Sequence, residues 1–501
     1  MQPPAAFTRI PALKSAAEFR RRVAVLGLDL PCDDAVLERA ASPLAQPLSE
    51  VTINGKTIGN RWAIQPMEGW DGTASGGVTD EVRRRWRRFG ESGAKLIWGG
   101  EAMAVCPAGR ANPRQLLITD AQQEGLAELR EGLARAHRDR FGRAEDLVIG
   151  FQLTHSGRFC KPVRADQPEP RAAYRHPLLD DRFHVISEAQ VIADAELPRL
   201  VADYVRAARI AREAGADFVD LKHCHGYLLH EFLSAFTRPG PYGGTFENRT
   251  RLFREIVEGI RGSGNRIELG VRLSAFDSVP YRPDPGRSAP GRPGPGIPED
   301  YSACLPYRYA FGVSPANPLE PDLAETHRFL QLCATLGVKL VNLTAGSPYY
   351  NPHLQRPAAY PPSDGYQPPE DPLAGVARQV QAVRRLKAQA PAGLVVVGSA
   401  YSYLQEYLPH VAQAVVRQGW TDAVGMGRMA LSYPTLIADS LATGAVNPRL
   451  LCRTFSDCTT APRNGLISGC YPLDPYYGGT PEAGRLKAVK RAPGGSGPPP
   501  N

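Results

Sequence analysis

The chain has 501 residues, enough to bury a large core and, on length alone, enough for two or three domains. Charged residues at 22% against 43% AVILMFWYC exclude a mostly disordered chain, and a net charge of +8 spread over this length calls for no nucleic-acid partner. The excess lies in 49 Gly and 47 Pro, well above the about 12% of an average composition, and predicts many ordered loops, an irregular segment, or both.

In chain order, Ala16 to Leu28 has the pattern of a capping helix, and Val51 to Ile58 contains an Asn54-Gly55 hairpin signal. From Asn60 to about Thr443, short apolar runs rich in β-branched residues alternate with amphipathic stretches. The predicted strands are Arg61 to Gln65, Lys95 to Trp98, Leu147 to Leu153, Phe218 to Leu221, Ile267 to Leu273, Val338 to Leu343, Leu394 to Gly398 and Ala423 to Met426. Helical stretches between them include Thr79 to Ser92, Pro198 to Ala214, Asn248 to Arg261, Ala324 to Leu336, Ala374 to Ala390 and Tyr403 to Gln418. The first carries Arg83, Arg84, Arg85, Arg87 and Arg88 interleaved with Val82, Trp86 and Phe89, which reads as a solvated helix face rather than a partner patch. Eight strand-helix units predict an α/β TIM barrel with its site at the C-terminal strand ends, against a doubly wound open sheet as the competing arrangement. Ser278 to Asp300, after the fifth strand, is too dense in proline to be a regular element, and Arg485 to Asn501 reads as a frayed tail. The predicted organisation is an N-terminal extension over 1–50, a barrel over 51–445, a C-terminal extension over 446–484 and a disordered tail over 485–501.

Nine scattered cysteines, an odd number, fit a reduced, cytoplasmic protein better than a disulfide framework. The start, Met1-Gln2-Pro3-Pro4, lacks the pattern of a signal peptide, and no apolar stretch is long enough to span a bilayer. No membrane partner is expected, while a homo-oligomer is left open.

Polar residues gather where the apolar runs end. Strand one ends Gln65-Pro66-Met67-Glu68-Gly69, strand three ends Gln152-Leu153-Thr154-His155, and strand four runs into Lys222-His223-Cys224-His225-Gly226-Tyr227. Strand five carries Arg272. Strands seven and eight end in Gly398-Ser399 and Gly425-Met426-Gly427-Arg428. Glycine there lets backbone N–H groups approach a phosphate, and Arg428 adds a charge-assisted contact; tight turns alone are the plainer reading.

In order, Gln65-Pro66-Met67, GFQLTHSGR, HGYLLHEFLSAFTR with PYGGTFENRTR, GVRLSA and GMGR resemble the old yellow enzyme family of flavin-dependent oxidoreductases. The match covers about residues 50 to 445, weaker through 477, and is most similar to the bacterial branch containing 2,4-dienoyl-CoA reductase and trimethylamine dehydrogenase. The resemblance implies non-covalent FMN at the barrel mouth, NAD(P)H as co-substrate, and hydride transfer to an activated alkene of enoate, enone or dienoyl type. It places Pro66 and Met67 against the flavin, Gln152 at its pyrimidine edge, Arg272 near N1 and O2, and Gly398, Ser399, Gly427 and Arg428 at its phosphate. Tyr227 matches the residue that protonates the substrate carbon, a role that suits a neutral phenol.

Two departures stand out. Lys222 replaces the first donor to the substrate carbonyl while His225 retains the second; the lysine charge would stabilise an enolate-like transition state, select an anionic substrate, or serve a carboxylate away from the flavin. Glu68 stands where relatives have Cys or Thr, and should disfavour reduced flavin unless protonated or paired with Lys222. In the C-terminal extension only Cys458 and Cys470 fit the spacing of a 4Fe–4S cluster, since Leu451 and Thr454 occupy the first two positions and Cys452 is one residue out of register. No metal is therefore expected. No Rossmann GxGxxG half is present, so electrons are expected to enter directly from the nicotinamide. Two other readings stay open: a flavin-binding barrel that has lost ene-reductase activity, and an aldolase-like barrel using Lys222 as a Schiff base. Ser278 to Asp300 and Tyr349-Tyr350 are expected to shape the pocket.

Overall fold

The computed structural model describes residues 7–491. Eight parallel strands form its centre: β1 (Trp62–Ile64), β2 (Leu96–Ile97), β3 (Val148–Thr154), β4 (Phe218–Leu221), β5 (Glu268–Ser274), β6 (Leu340–Thr344), β7 (Val395–Gly398) and β8 (Ala423–Met426). Each pairs with its neighbours in chain order, and β8 pairs with β1 through Val424↔Trp62, Gly425↔Ala63 and Met426↔Ile64, which closes the barrel. All eight predicted strands are present, and the open sheet is excluded.

Barrel closure demands an interior filled by side chains. One interior cluster joins Ala63, Trp98, Val148, Phe218, Leu340, Val395 and Ala423 to Leu48, Val51, Ile53 and Ile58 of an antiparallel hairpin, Leu48–Ile53 with Lys56–Ile58. That hairpin, turned by Asn54-Gly55, plugs the end of the barrel opposite the strand C-termini. The helix Ala16–Val25, expected as a cap, instead buttresses the outer ring: Phe19 stacks on Tyr407 at 4.6 Å and Arg22 bonds Asp371 at 2.5 Å. Its single apolar stripe is satisfied by other helices.

The helix Asp80–Gly90 buries Val82, Trp86 and Phe89 along one stripe and is capped by Thr79, which accepts from the Val82 N–H. The arginine run is not a uniformly solvated face. Arg85 is buried between Asp71 and Glu101, and Arg84 holds Asp474 through two bonds of 2.8 and 2.9 Å. The carboxylates that draw these arginines inward lie far away in sequence, so helical periodicity alone could not reveal them.

The segment after β5 also departs from expectation. Tyr281–Pro283 and Gly296–Pro298 pair as a short antiparallel ribbon, with prolines confined to positions whose missing donor the ladder does not need. At the other end of the chain, residues 485–491 belong to the helix Pro481–Arg491 rather than to a frayed tail, because Leu486 packs with Ala461, Leu466, Tyr471 and Tyr477. Residues 1–6 and 492–501 lie outside the described residues. Among the described residues no helix is long and apolar enough to cross a membrane, and all nine cysteines are free.

Glycine decides the interior packing at one point. A Cβ on Gly150 would come within 2.3 Å of the Phe218 ring, which packs edge-on against Trp98 at 5.3 Å. Gly150→Ala should therefore overpack the barrel and lower stability by about 1–3 kcal/mol, measured by urea unfolding; an unchanged midpoint would show that Phe218 has room to move.

Candidate active site

The strand C-termini open into a cavity of about 240 Å³. Its wall includes Pro66, Met67, Glu68, Gln152, Lys222, His225, Tyr227, Arg272, Ser399, Gly427 and Arg428, which are all the residues singled out from the sequence except Gly398. Gly398 lies behind the wall, where a Cβ would come within 2.9 Å of the Tyr401 hydroxyl.

The floor is a buried hydrogen-bond network. Asp220 on β4 accepts from Gln152 Nε2 at 2.5 Å, from Trp98 Nε1 at 2.8 Å and from the Arg272 backbone N–H at 2.6 Å. Burial pushes its carboxyl upward, opposed by those bonds and by the Arg272 charge. With its amide nitrogen engaged, Gln152 keeps Oε1 as an acceptor toward the cavity. Gln65 donates to Ser399 Oγ at 3.0 Å, Asn342 donates to Gln65 Oε1 at 2.6 Å, and Ser399 donates to Asn342 Oδ1 at 3.2 Å. The Ser399 hydroxyl is thus spent on the wall. Gly425 admits this network, since a Cβ there would stand 1.7 Å from Gln65 Nε2.

One side of the cavity carries the proton-bearing groups. The Tyr227 hydroxyl donates to Glu68 Oε2 and lies 2.9 Å from the Tyr349 hydroxyl. Lys222 Nζ lies 4.0 Å from Glu68 Oε2 and 3.2 Å from the Tyr227 ring centroid, so carboxylate and π-face share its charge. Burial lowers the Lys222 pKa and Glu68 raises it, with burial prevailing. Burial first, then Glu68, holds Tyr227 well above the ordinary phenol value. His225 takes a left-handed φ of 66°, unusual without glycine, as the chain turns from β4. Its Nε2 lies 3.4 Å from Thr344 Oγ1, and burial with nearby cations keeps its pKa well below the usual value, hence neutral.

Cations face these groups without matching carboxylates. Arg272 donates to the Pro66 carbonyl at 3.2 Å while its Nε has no partner, and Arg428 donates to the Pro357 carbonyl at 3.3 Å while its Nη1 is buried without one. Two such cations in one cavity suit a ligand with an electron-accepting ring and a phosphate.

Sequence reasoning missed Asn342, the part Asp220 plays in the floor and the room Gly425 makes for Gln65, and also the outer wall. Cys458, Thr459, Pro462, Arg463, Ser468 and Gly469 of the C-terminal segment line the cavity, tied down by the Trp70 N–H to Ser468 Oγ bond of 2.9 Å. Of the two features expected to shape the pocket, Tyr349 does so. Tyr350 instead bonds Asp277 at 2.6 Å, and no residue of 278–300 lines the cavity. Among the described residues no cluster of His, Cys, Asp or Glu could hold a metal ion.

A closed parallel barrel with a cationic, proton-bearing cavity at its strand ends defines an enzyme-like (β/α)8 scaffold. Residues 44–284 match the NADH:flavin oxidoreductase / NADH oxidase family. It is 32% identical over 234 residues to the NADPH dehydrogenase of Bacillus subtilis, covering 45% of this chain and 63% of that protein. It is 28% identical over 278 residues to an NADH:flavin oxidoreductase of Gibberella zeae, covering 50% and 62%. The chain thus spans less than two thirds of the length of these curated relatives. By fold it resembles a 2-naphthoyl-CoA reductase (TM-score 0.62, 18% identity, 89% of this chain and 58% of that one). It also resembles the old yellow enzyme homologue of Zymomonas mobilis (TM-score 0.51, 20% identity, 79% and 91%).

Asp220→Asn replaces an acceptor oxygen with an amide that opposes at least one of the three N–H donors. It should cost about 2 kcal/mol, within the range for a buried unsatisfied donor, as measured by urea denaturation; a neutral effect would mean that the carboxyl does not organise the floor.

Proposed function

We propose that the chain is an FMN-dependent oxidoreductase that takes hydride from NAD(P)H and reduces an activated C=C bond. The observation that supports this reading is the convergence, in one cavity, of nearly every residue expected to hold the flavin with all three expected to act on the substrate. Pro66 and Met67 would lie against the ring, Gln152 Oε1 would accept at its pyrimidine edge, and Arg272 would face N1 and O2. Gly427 and Arg428 would take the phosphate, joined by the backbone at Ser399. FMN bound there would supply a two-electron carrier, with positive charge from Arg272 favouring its reduced form.

The residues of the chain then divide the remaining work. Lys222 and a neutral His225 donate to the substrate carbonyl oxygen, where negative charge grows, and burial makes each donation stronger than in water. Tyr227 stays protonated and delivers its proton to the substrate carbon. Its hydroxyl is held by Glu68 and Tyr349, so Glu68 orients the donor and shares the Lys222 charge.

Anaerobic addition of NADPH or NADH to the purified protein should bleach a flavin spectrum, and a cyclic enone should restore it. A colourless protein that borohydride traps on substrate would overturn the reading in favour of Schiff-base chemistry, and a flavin that never bleaches would leave only a binding role. Tyr227→Phe should slow reoxidation by the enone about a hundredfold or more, seen in stopped flow; an unaltered rate would remove Tyr227 from the proton step. Glu68→Gln should make the flavin potential more positive by roughly 30 mV, equivalent to a tenfold change for two electrons. An unchanged potential would mean that the carboxylate does not act on the ring.

A further inference from the structure

The turn that leaves β4 carries His225 and Tyr227, and its backbone lies outside both ladder and helix. His225 and Gly226 take left-handed φ values of 66° and 78°. The whole turn is buried, so each of its N–H groups needs an acceptor. The His225 N–H donates to Ser274 Oγ at 2.9 Å, the Tyr227 N–H to the Cys224 carbonyl at 3.3 Å, and the Leu228 N–H to the His155 carbonyl at 3.1 Å. The Gly226 N–H donates to Nδ1 of His230 at 3.0 Å. Because a backbone N–H can only donate, Nδ1 carries the lone pair and the ring proton sits on Nε2, which has no partner among the described residues. Burial, with His223 nearby, lowers the His230 pKa to about 3, so the acceptor persists at neutral pH.

His230 is itself held in place. It lies on the short helix Leu228–Leu233, and the next residue, Glu231, accepts from Arg158 Nε at 2.5 Å and from the Ala173 N–H at 3.1 Å. Arg158 in turn donates to Asp180 at 2.7 Å. Tyr350 hems in the same turn, since a Cβ on Gly226 would come within 3.0 Å of its hydroxyl, which bonds Asp277 at 2.6 Å. The backbone between the two substrate-side groups is thus fixed by His230, Ser274 and Tyr350, none of which lines the cavity.

We propose that His230 is a positioning residue for the reaction: by receiving the Gly226 N–H it sets the directions in which His225 and Tyr227 leave the turn, one toward the substrate carbonyl oxygen and the other toward the carbon to be protonated. This rests on the function proposed above for what those two residues do, and adds the group that aims them. Both hang on one turn, so loss of the bond displaces carbonyl donor and proton source together, and a misplacement of about 1 Å is enough to cost roughly a hundredfold in rate.

His230→Asn and His230→Gln separate this role from bulk and polarity, because Asn sets its oxygen where Nδ1 stands and Gln sets its oxygen one atom further out, toward Nε2. In the purified holoprotein, His230→Gln should slow enone reduction by about tenfold or more, whereas His230→Asn should stay within about threefold of the parent. In a Tyr227→Phe background, His230→Gln should cost a smaller factor than it does alone, since part of its effect passes through the missing hydroxyl. Amide hydrogen exchange over residues 224–230, read by mass spectrometry, should be faster in His230→Gln and parent-like in His230→Asn. Equal rates for the two variants, equal exchange in them, or an undiminished factor in the Tyr227→Phe background would overturn the proposal. A parent protein that reduces no enone, yet shows the exchange difference between the variants, would refute the reductase reading and uphold His230 as the residue that fixes the turn.

Discussion

Asp220 ties together the barrel and the cavity. A carboxylate at this depth costs several kcal/mol unless its oxygens are bonded, and here three N–H groups from three neighbouring elements meet that demand. Trp98 follows β2, Gln152 lies on β3 and Arg272 on β5, so the bonds from one β4 residue lock the register of four adjacent strands. The same bonds decide which atoms remain for a ligand. Gln152 is left with an acceptor, and the Arg272 side chain is left as a cation, since its backbone rather than its guanidinium serves Asp220. Trp98 is held where it can pack on Phe218, whose ring fills the space that Gly150 and Gly270 leave open. Core packing and site geometry are therefore one arrangement.

Above that floor, the cavity separates charge. Acidic character is confined to Glu68, which binds Tyr227 and approaches Lys222, whereas Arg272, Arg356 and Arg428 retain unpartnered donors. Like charges in a shielded space repel strongly, and folding energy must be spent to hold them there. The imbalance fits a site completed by anions and argues against a purely structural role for the arginines, each of which could have been given a carboxylate as Arg85 and Arg158 were.

Strand positions were legible in the sequence because a closed parallel sheet makes each strand a nearly continuous apolar run, and the polar residues that interrupt such runs mark the site. Lys222, His225, Tyr227 and Arg272 were visible on that ground, and Pro66, Met67 and Gln152 through the family resemblance. Asp220 carried a signal too, as a lone carboxylate within Phe218 to Leu221, but its three partners sit on other strands. Arg356 had none: it follows the one-turn helix Pro352–Gln355 after β6, and its setting depends on Thr459 and Arg463 arriving from a segment about a hundred residues later. The burial of Arg85 and the pairing of half-buried Arg84 with Asp474 escaped notice for the same reason, since helical spacing describes a face and not what packs on it.

The C-terminal segment is where spacing and structure part most clearly. Leu451 and Thr454 occupy the positions where a cluster would need thiolates, and each has a protein role instead: Leu451 is buried in the main core, and Thr454 accepts from the Ala359 N–H at 3.0 Å. Thr459, next to Cys458, receives the Arg356 guanidinium, and Ser468, two residues before Cys470, receives the Trp70 N–H. The segment is thus fastened to the loops after β1 and β6 by hydrogen bonds, and a metal is not required to hold it. It supplies a polar wall of the cavity, in which Thr459 holds the Arg356 guanidinium, so the spacing that suggested a redox centre marks instead a segment that closes one side of the site.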